Sequence, residues 1–297
     1  MNRVKEPDKI IEIVKGRGKK IAVAVAEDSE VLSGLREAVE LEIVSPLLFG
    51  NEDNIVKIAR DVGFPADSVE ICGSKTPEEA LHDSLMAIRN GRASLLMKGG
   101  LNTAIFLKAV LNKQYGLRKN SLLSHVGVFF PPSLSRPVVV TDAALNLHPS
   151  LADKVAIINN AVAVLNRLGV NEPKVAALAH NEVVSAKVQA SVEAQKLAEM
   201  YSAGEIMGCV IDGPIALDCA LSIEACRHKG LDTPVGGFAD VLLCPDIVSA
   251  NILYKSMVFL AHANGAAIIE GAAVPLVVAS RAEDARTKLL SIALAAL

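Results

Sequence analysis

The 297-residue chain contains no tryptophan, and aromatic residues make up only 3% of it. Base-stacking recognition of single-stranded nucleic acid needs aromatic platforms, so that class is disfavoured. Positive charge is not in excess either: 30 Lys+Arg stand against 33 Asp+Glu, a formal net charge of −3. No basic footprint for a nucleic-acid partner follows from that balance. Long apolar runs are missing despite a mean hydropathy of +0.37. Charge, Gly or Pro interrupts every apolar stretch well short of the ~18 residues that suggest a membrane span. The opening MNRVKEPDKIIEIVKGRGKK is charged throughout and lacks the apolar centre of a secretory leader. The expectation is a chain that stays in the cytoplasm and away from membranes.

Cysteines number five, Cys72, Cys209, Cys219, Cys226 and Cys244, with no C-x-x-C pair. They read as small buried hydrophobes in a reducing compartment. Only Cys226 has basic sequence neighbours, Arg227 and His228, of the kind that activate a thiol. Several motifs are also missing. Without G-x-G-x-x-G or G-x-x-x-x-G-K-[ST] there is no dinucleotide or P-loop phosphate cradle. Without H-E-x-x-H or paired Cys/His spacing there is no zinc site. Without G-x-S-x-G there is no nucleophile elbow. His125 and His180 fall at strand edges and read as hydrogen-bonded structural residues.

What is present is a regular alternation. Short runs rich in Ala, Val, Leu and Ile, such as IAVAVA (21–26), PLLFG (46–50), KVAALAH (174–180) and VLLCPD (241–246), alternate with helix-periodic segments. Among the helices, 51–63 opens on Asn51 and closes on Gly63, and 76–91 has Thr76 as cap and Pro77 in its first turn. Further helices are expected over 183–200, 216–230 and 247–265, and a strand over 274–280. This beat predicts an α/β protein with parallel sheets. It breaks once, near 133–140, where two strand-like runs lie back to back. A domain boundary is placed there, and two α/β domains imply a cleft between them that suits a small ligand.

In parallel sheets ligands gather outside the carboxyl ends of the strands. The residues expected there are Lys98, Gly99, Gly100, Asn102 and Thr103; Asp142, Asn146 and His148; Asp212; Asp246, Asn251 and Lys255; and Ser280 with Arg281. Helix N-termini, ammonium and guanidinium groups and a hydroxyl form a phosphate-binding set. Each also has an ordinary structural role open to it: Ser280 and Asp246 as helix caps, Arg281 as a surface charge, and Asp212-Gly213-Pro214 as a turn.

These segments carry a resemblance. VVTDAALNLHPS (139–150), VIDGPIALDCAL (210–221), PDIVSANILYKSM (245–257) and AAIIEGAAVPLVVASR (266–281) resemble, in order, four segments of the phosphate acetyl/butyryltransferase family. KGGLNTAIFLKAVL (98–111) resembles the helix entry in the family's first half. The short chain, the LMKGG segment and the ending SRAEDARTKLLSIALA are most similar to the butyryltransferase branch.

The resemblance implies two parallel-sheet α/β domains with a cleft between them, isocitrate/isopropylmalate dehydrogenase-like. Domain I would comprise 1–137 plus 268–297, and domain II 138–267. It implies transfer of a short acyl group, butyryl foremost and acetyl as the alternative, between coenzyme A and inorganic phosphate. Acyl-CoA and phosphate are substrates, with no bound cofactor and no metal, in a homo-oligomer built on a dimer. Matched by motif position, Ser280 and Arg281 contact phosphate and the oxyanion. Lys108 and Arg118 fall where the family places arginines near coenzyme A, and both also suit a solvated face. The family's proposed base aligns with Thr287, which cannot act as one, so Asp284 is the nearest candidate. Two other classes remain: a dehydrogenase of related fold with Asp212, Asp218 and Asp246 as metal ligands, and a non-catalytic acyl-CoA sensor.

Overall fold

The structure, a computed structural model, describes residues 3–117, 122–279 and 283–297. In chain order its elements are α1 (Pro7–Val14), β1 (Lys19–Ala24), α2 (Ser29–Glu40), β2 (Val44–Gly50), α3 (Glu52–Val62), β3 (Glu70–Gly73), α4 (Pro77–Arg89), β4 (Leu95–Lys98) and α5 (Thr103–Val110). There follow β5 (Ser124–Phe130), β6 (Val138–Thr141), α6 (Leu151–Arg167), β7 (Lys174–Leu178), α7 (Gln189–Ser202), β8 (Val210–Ile215), α8 (Leu217–Leu221), α9 (Ile223–Lys229), β9 (Val241–Leu243) and α10 (Ile247–Phe259). The chain closes with β10 (Asn264–Glu270), β11 (Leu276–Val277) and α11 (Ala285–Ala296). Among the described residues no helix is long and apolar enough to cross a membrane.

These elements form two compact units, one of Pro7–Ser121 with Ala266–Leu297, the other of Met1–Glu6 with Leu122–Gly265. In the first, the strands follow the order β3-β2-β1-β4-β11-β10. All neighbours are parallel except β10 and β11. The β1 side chains Ile21, Ala22 and Val23 are fully buried, as are Leu48 of β2 and Leu96 of β4. Strands covered on both faces must be apolar throughout, and the sequence supplies that with branched aliphatics. The capping chemistry is as the sequence indicates. Asn51 and Thr76 accept from Asn54 N and Glu79 N, and Gly63 ends α3 in the left-handed region at φ 65°. Helix α11, apolar on most of its faces, is buried from Lys288 to Ala296. Its one buried cation, Lys288, pairs with Glu30 of α2 at 2.7 Å.

In the second unit the order is β5-β6-β9-β7-β8. The β6, β9, β7 and β8 neighbours run parallel, and β5 pairs antiparallel with β6. The back-to-back runs near 133–140 are therefore a strand pair joined by a short connection, which requires antiparallel pairing. The unit boundary lies before that pair, at 121/122, whereas the sequence places it inside the connection at 137/138. The return falls at 265/266, beside the expected 267/268.

Other differences have local causes. The expected helix over 247–265 ends at Phe259. His262 takes a left-handed φ of 48°, and the apolar run after it is β10. The 216–230 helix is two, because Ser222 leaves the helical region and caps α9 by accepting from Ala225 N. Helix α7 starts at Gln189, after an irregular Asn181–Val188 segment.

Candidate functional site

In the unit containing β5 to β9, the carboxyl ends of four parallel strands share one edge. β5, being antiparallel, brings its amino end to it. Asp142, directly after β6, is 4% exposed. Its Oδ1 accepts from Ala144 N at 2.9 Å and Leu145 N at 3.1 Å, and its Oδ2 from Asn146 Nδ2 at 2.5 Å. The Asn146 amide also donates to the Leu123 carbonyl at 2.9 Å. After β9, Asp246 caps α10, accepting from Ser249 N and Ser249 Oγ at 2.8 and 3.0 Å. The Ser249 N–H, first among its causes, holds the Asp246 carboxyl below the usual carboxylate range. Asn251 donates across to the Ala143 carbonyl at 3.0 Å, and Ile247 N donates to Leu147 O at 3.2 Å. The 139–150 and 245–257 segments are thus tied into one structure. Lys255, one turn beyond Asn251, is exposed.

Asp212 lies inside β8, opposite Ala176, and not in a turn. One carboxylate oxygen accepts from Gly213 N at 2.8 Å and the other from Thr233 Oγ1 at 2.5 Å. Asp218 and Glu182 both pair with Lys229, at 3.0 Å each. With Cys219 they are the only metal-type cluster among the described residues, and Lys229 already compensates their charge. Asp212, Asp218 and Asp246 do not form a group, so the metal set of a dehydrogenase is not assembled by them. Cys226 is buried and its thiol donates to the Cys219 carbonyl at 3.1 Å, while its basic sequence neighbours Arg227 and His228 are exposed. Desolvation pushes the Cys219 thiol up to about 12, the behaviour of an inert buried thiol.

In the unit containing β1 to β4, the edge is built by a close turn. Gly99 N donates to Ala24 O at 2.8 Å and Gly100 N to Val25 O at 2.6 Å. Val25 reaches that position at a left-handed φ of 58°, an outlier for a β-branched residue. A Cβ on Gly99 would stand 2.0 Å from the Val25 oxygen, so only glycine fits. Lys98 donates to the Gly99 and Leu101 carbonyls at 3.0 and 3.1 Å. Asn102 caps α5, accepting from Ala104 N at 2.8 Å. Thr103 begins that helix and Lys108 lies in its last turn, both exposed. A cation beside a helix N-terminus favours an anion. Asp284 is exposed and caps α11, accepting from Thr287 N at 2.7 Å. Arg118, Ser280 and Arg281 lie outside the described residues.

Two features had no signal in the sequence reading. One is the unpartnered imidazole nitrogen of His125, read from sequence as a hydrogen-bonded residue; its Nδ1 is buried without a partner. The other is an apolar cavity of about 810 Å³ at the carboxyl ends of β7 and β9, lined by Leu178, Val188, Leu217, Ile252 and Leu253, with His180 also at its wall.

A family model described as phosphate acetyl/butaryl transferase matches residues 73–296. A phosphate butyryltransferase of Clostridium beijerinckii is 43% identical over 279 residues, covering 94% of this chain and 92% of that protein. A phosphate acetyltransferase of Thermotoga maritima is 40% identical over 289 residues, covering 97% and 98%. The structure of a branched-chain phosphotransacylase from Enterococcus faecalis V583 superposes with a TM-score of 0.84 at 28% identity, covering 93% of this chain and 97% of that one.

Proposed function

Since the chain belongs to the phosphate acetyl/butaryl transferase family, we propose that it transfers a short acyl group, butyryl foremost, between coenzyme A and inorganic phosphate. The observation that carries this reading is that the family match takes in all four motif segments and every strand-end residue named above. A phosphate oxygen attacks the thioester carbonyl carbon. The tetrahedral intermediate collapses with cleavage of the carbon–sulfur bond, and the thiolate leaves to be protonated as free coenzyme A. The other direction reverses these steps. No covalent enzyme intermediate is needed, because holding two anionic substrates in register supplies much of the rate.

The residues take roles within that scheme. Lys98, Gly99 and Thr103 receive phosphate at the start of α5, with Ser280 and Arg281 contacting phosphate and the oxyanion. Lys108 and Arg118 are assigned to bind the phosphates of coenzyme A. In the unit of β5 to β9, Asn146, Asn251 and Lys255 are the substrate-binding residues of this reading. Asp212, held by Gly213 N and Thr233 Oγ1, is assigned a substrate contact from β8. Asp284 is the candidate proton acceptor for the coenzyme A thiol when acyl-CoA is formed. No resident cofactor or metal is part of the scheme, and the reaction is placed in the cytoplasm.

A homo-oligomer is also part of this reading. Helix α10 is mostly apolar, and Val248, Ile252, Phe259 and Leu260 on and beside it are 60%, 63%, 65% and 79% exposed. A helix of that composition belongs in an interior or an interface, and a second copy of the chain supplies one. The reaction is tested by ³¹P NMR of the protein with butyryl-CoA and phosphate. A butyryl phosphate resonance growing at the expense of phosphate is expected, and its absence from a folded preparation overturns the proposal.

A further inference from the structure

Strands β5 and β6 pair with Gly127 opposite Val140 and Val128 opposite Val139. Asp142 follows Thr141, the last residue of β6, and its charge acts on His125. The Thr141 hydroxyl donates to the His125 carbonyl at 2.8 Å, so the strand ends stay together there. Tyr254 of α10 stands edge-on to the imidazole, with centroids 5.2 Å apart and planes at 69°. Tyr254 is seated in turn against Phe129 at 4.9 Å and over Gly127, where a Cβ would come within 2.7 Å of its ring.

β6 presents Asp142, and α10 presents Tyr254 with the exposed Lys255 next to it. From α6, uncharged Asn160 donates to the Ser124 hydroxyl at 2.9 Å. Burial pushes the His125 pKa down, and the smaller influence of the Asp142 charge pulls it up. The buried Nδ1 has no partner, an arrangement that costs stability and persists in native proteins for a reason.

We propose that His125 is a positioning residue whose charge state sets the geometry of the Asp142–Asn146 loop. While the imidazole is neutral, Asp142 keeps its three donors, and Asn146 bridges Asp142 and Leu123. Uptake of one proton at the unpartnered nitrogen creates a cation on which the Asp142 charge acts. It then competes with Ala144 N, Leu145 N and the Asn146 amide for the carboxylate oxygens, because charge-assisted bonds are the stronger ones. The loop that presents Asn146 and is held by Asn251 through Ala143 loosens as a result. The proton is taken up only below the ordinary imidazole value of about 6.5, since burial disfavours the charged form.

The kinetic test rests on the reaction proposed above; a second measurement does not. Acyl phosphate formation is followed from pH 8 to pH 5 for the wild type and His125→Gln, with circular dichroism at each pH. The dichroism is needed because a depressed folded pKa also removes stability as pH falls through the unfolded value. In the wild type the rate is expected to fall about tenfold per pH unit below the His125 midpoint. In His125→Gln, normalised to its own rate at pH 8 and with the phosphate dianion held at constant concentration throughout, that fall is absent. Independently, NMR should show the Asn146 side-chain amide and the Ala144 and Leu145 backbone amides shifting with the midpoint of the His125 imidazole. An acid limb retained by folded His125→Gln, or loop resonances that stay fixed while His125 titrates, overturns the proposal. If the wild type makes no acyl phosphate at pH 8, the reaction assignment fails, and the NMR arm alone decides the role of His125.

Discussion

An arginine that faces a developing oxyanion contributes more in the transition state than in the ground state. Arg281→Ala is therefore expected to lower kcat by roughly 10²-fold or more. An unchanged kcat in the folded variant would remove Arg281 from the site. Asp284 needs a subtler substitution, because its carboxylate caps α11 through Thr287 N. Asparagine caps a helix as well as aspartate does, so Asp284→Asn keeps the helix start and removes only the base. A flattened pH–rate profile with an unchanged melting temperature is expected if Asp284 takes the thiol proton. An unaltered profile would assign that proton to solvent. The same duality shows what was legible at this scale. Asp246 could be read as a cap because its partner, Ser249, is three residues away. The engagement of Asp212 was hidden because Thr233 reaches it across the fold. The orphaned nitrogen of His125 was hidden too, since it depends on how α10 lays Tyr254 against β5.

Elements with their own punctuation were legible, and those defined by context were not. Helices α3 and α4 carry cap and stop residues in sequence and fall where those residues predict. Strand β10 was missed: the expected helix took in its first two residues and 266–270 was given no element, because an alanine- and isoleucine-rich run suits either state until His262 turns the chain. Strand β3 is four residues long with a partly exposed pattern, too short for alternation to show. Helix α10 raises the opposite question, since its composition is that of a buried element and its surface is not buried within the chain. Ile252→Asp and Phe259→Asp each place a charge on that face. Light scattering should find the wild type as a dimer or larger and each variant shifted toward monomer. A monomeric wild type at micromolar concentration would contradict the assignment of this face to a second copy.

At the scale of the whole molecule, strand–helix alternation was enough to read an α/β chain of two units, because parallel strands must be connected through helices. The compact units divide at 121/122, ahead of β5, and the composition of β5 and β6 does not say that they pair with each other. The candidate site was legible only as strand ends. Which of them meet follows from bonds such as Asn251 to Ala143, which no spacing in the sequence encodes. The account stands or falls on the proposed acyl transfer, and one assay reaches it directly. Initial rates of coenzyme A release are measured from acetyl-, propionyl-, butyryl- and longer acyl-CoA, with and without phosphate. Release that requires phosphate and is fastest with butyryl-CoA is the predicted result. No phosphate-dependent release from any acyl-CoA, by a protein shown to be folded, would contradict it.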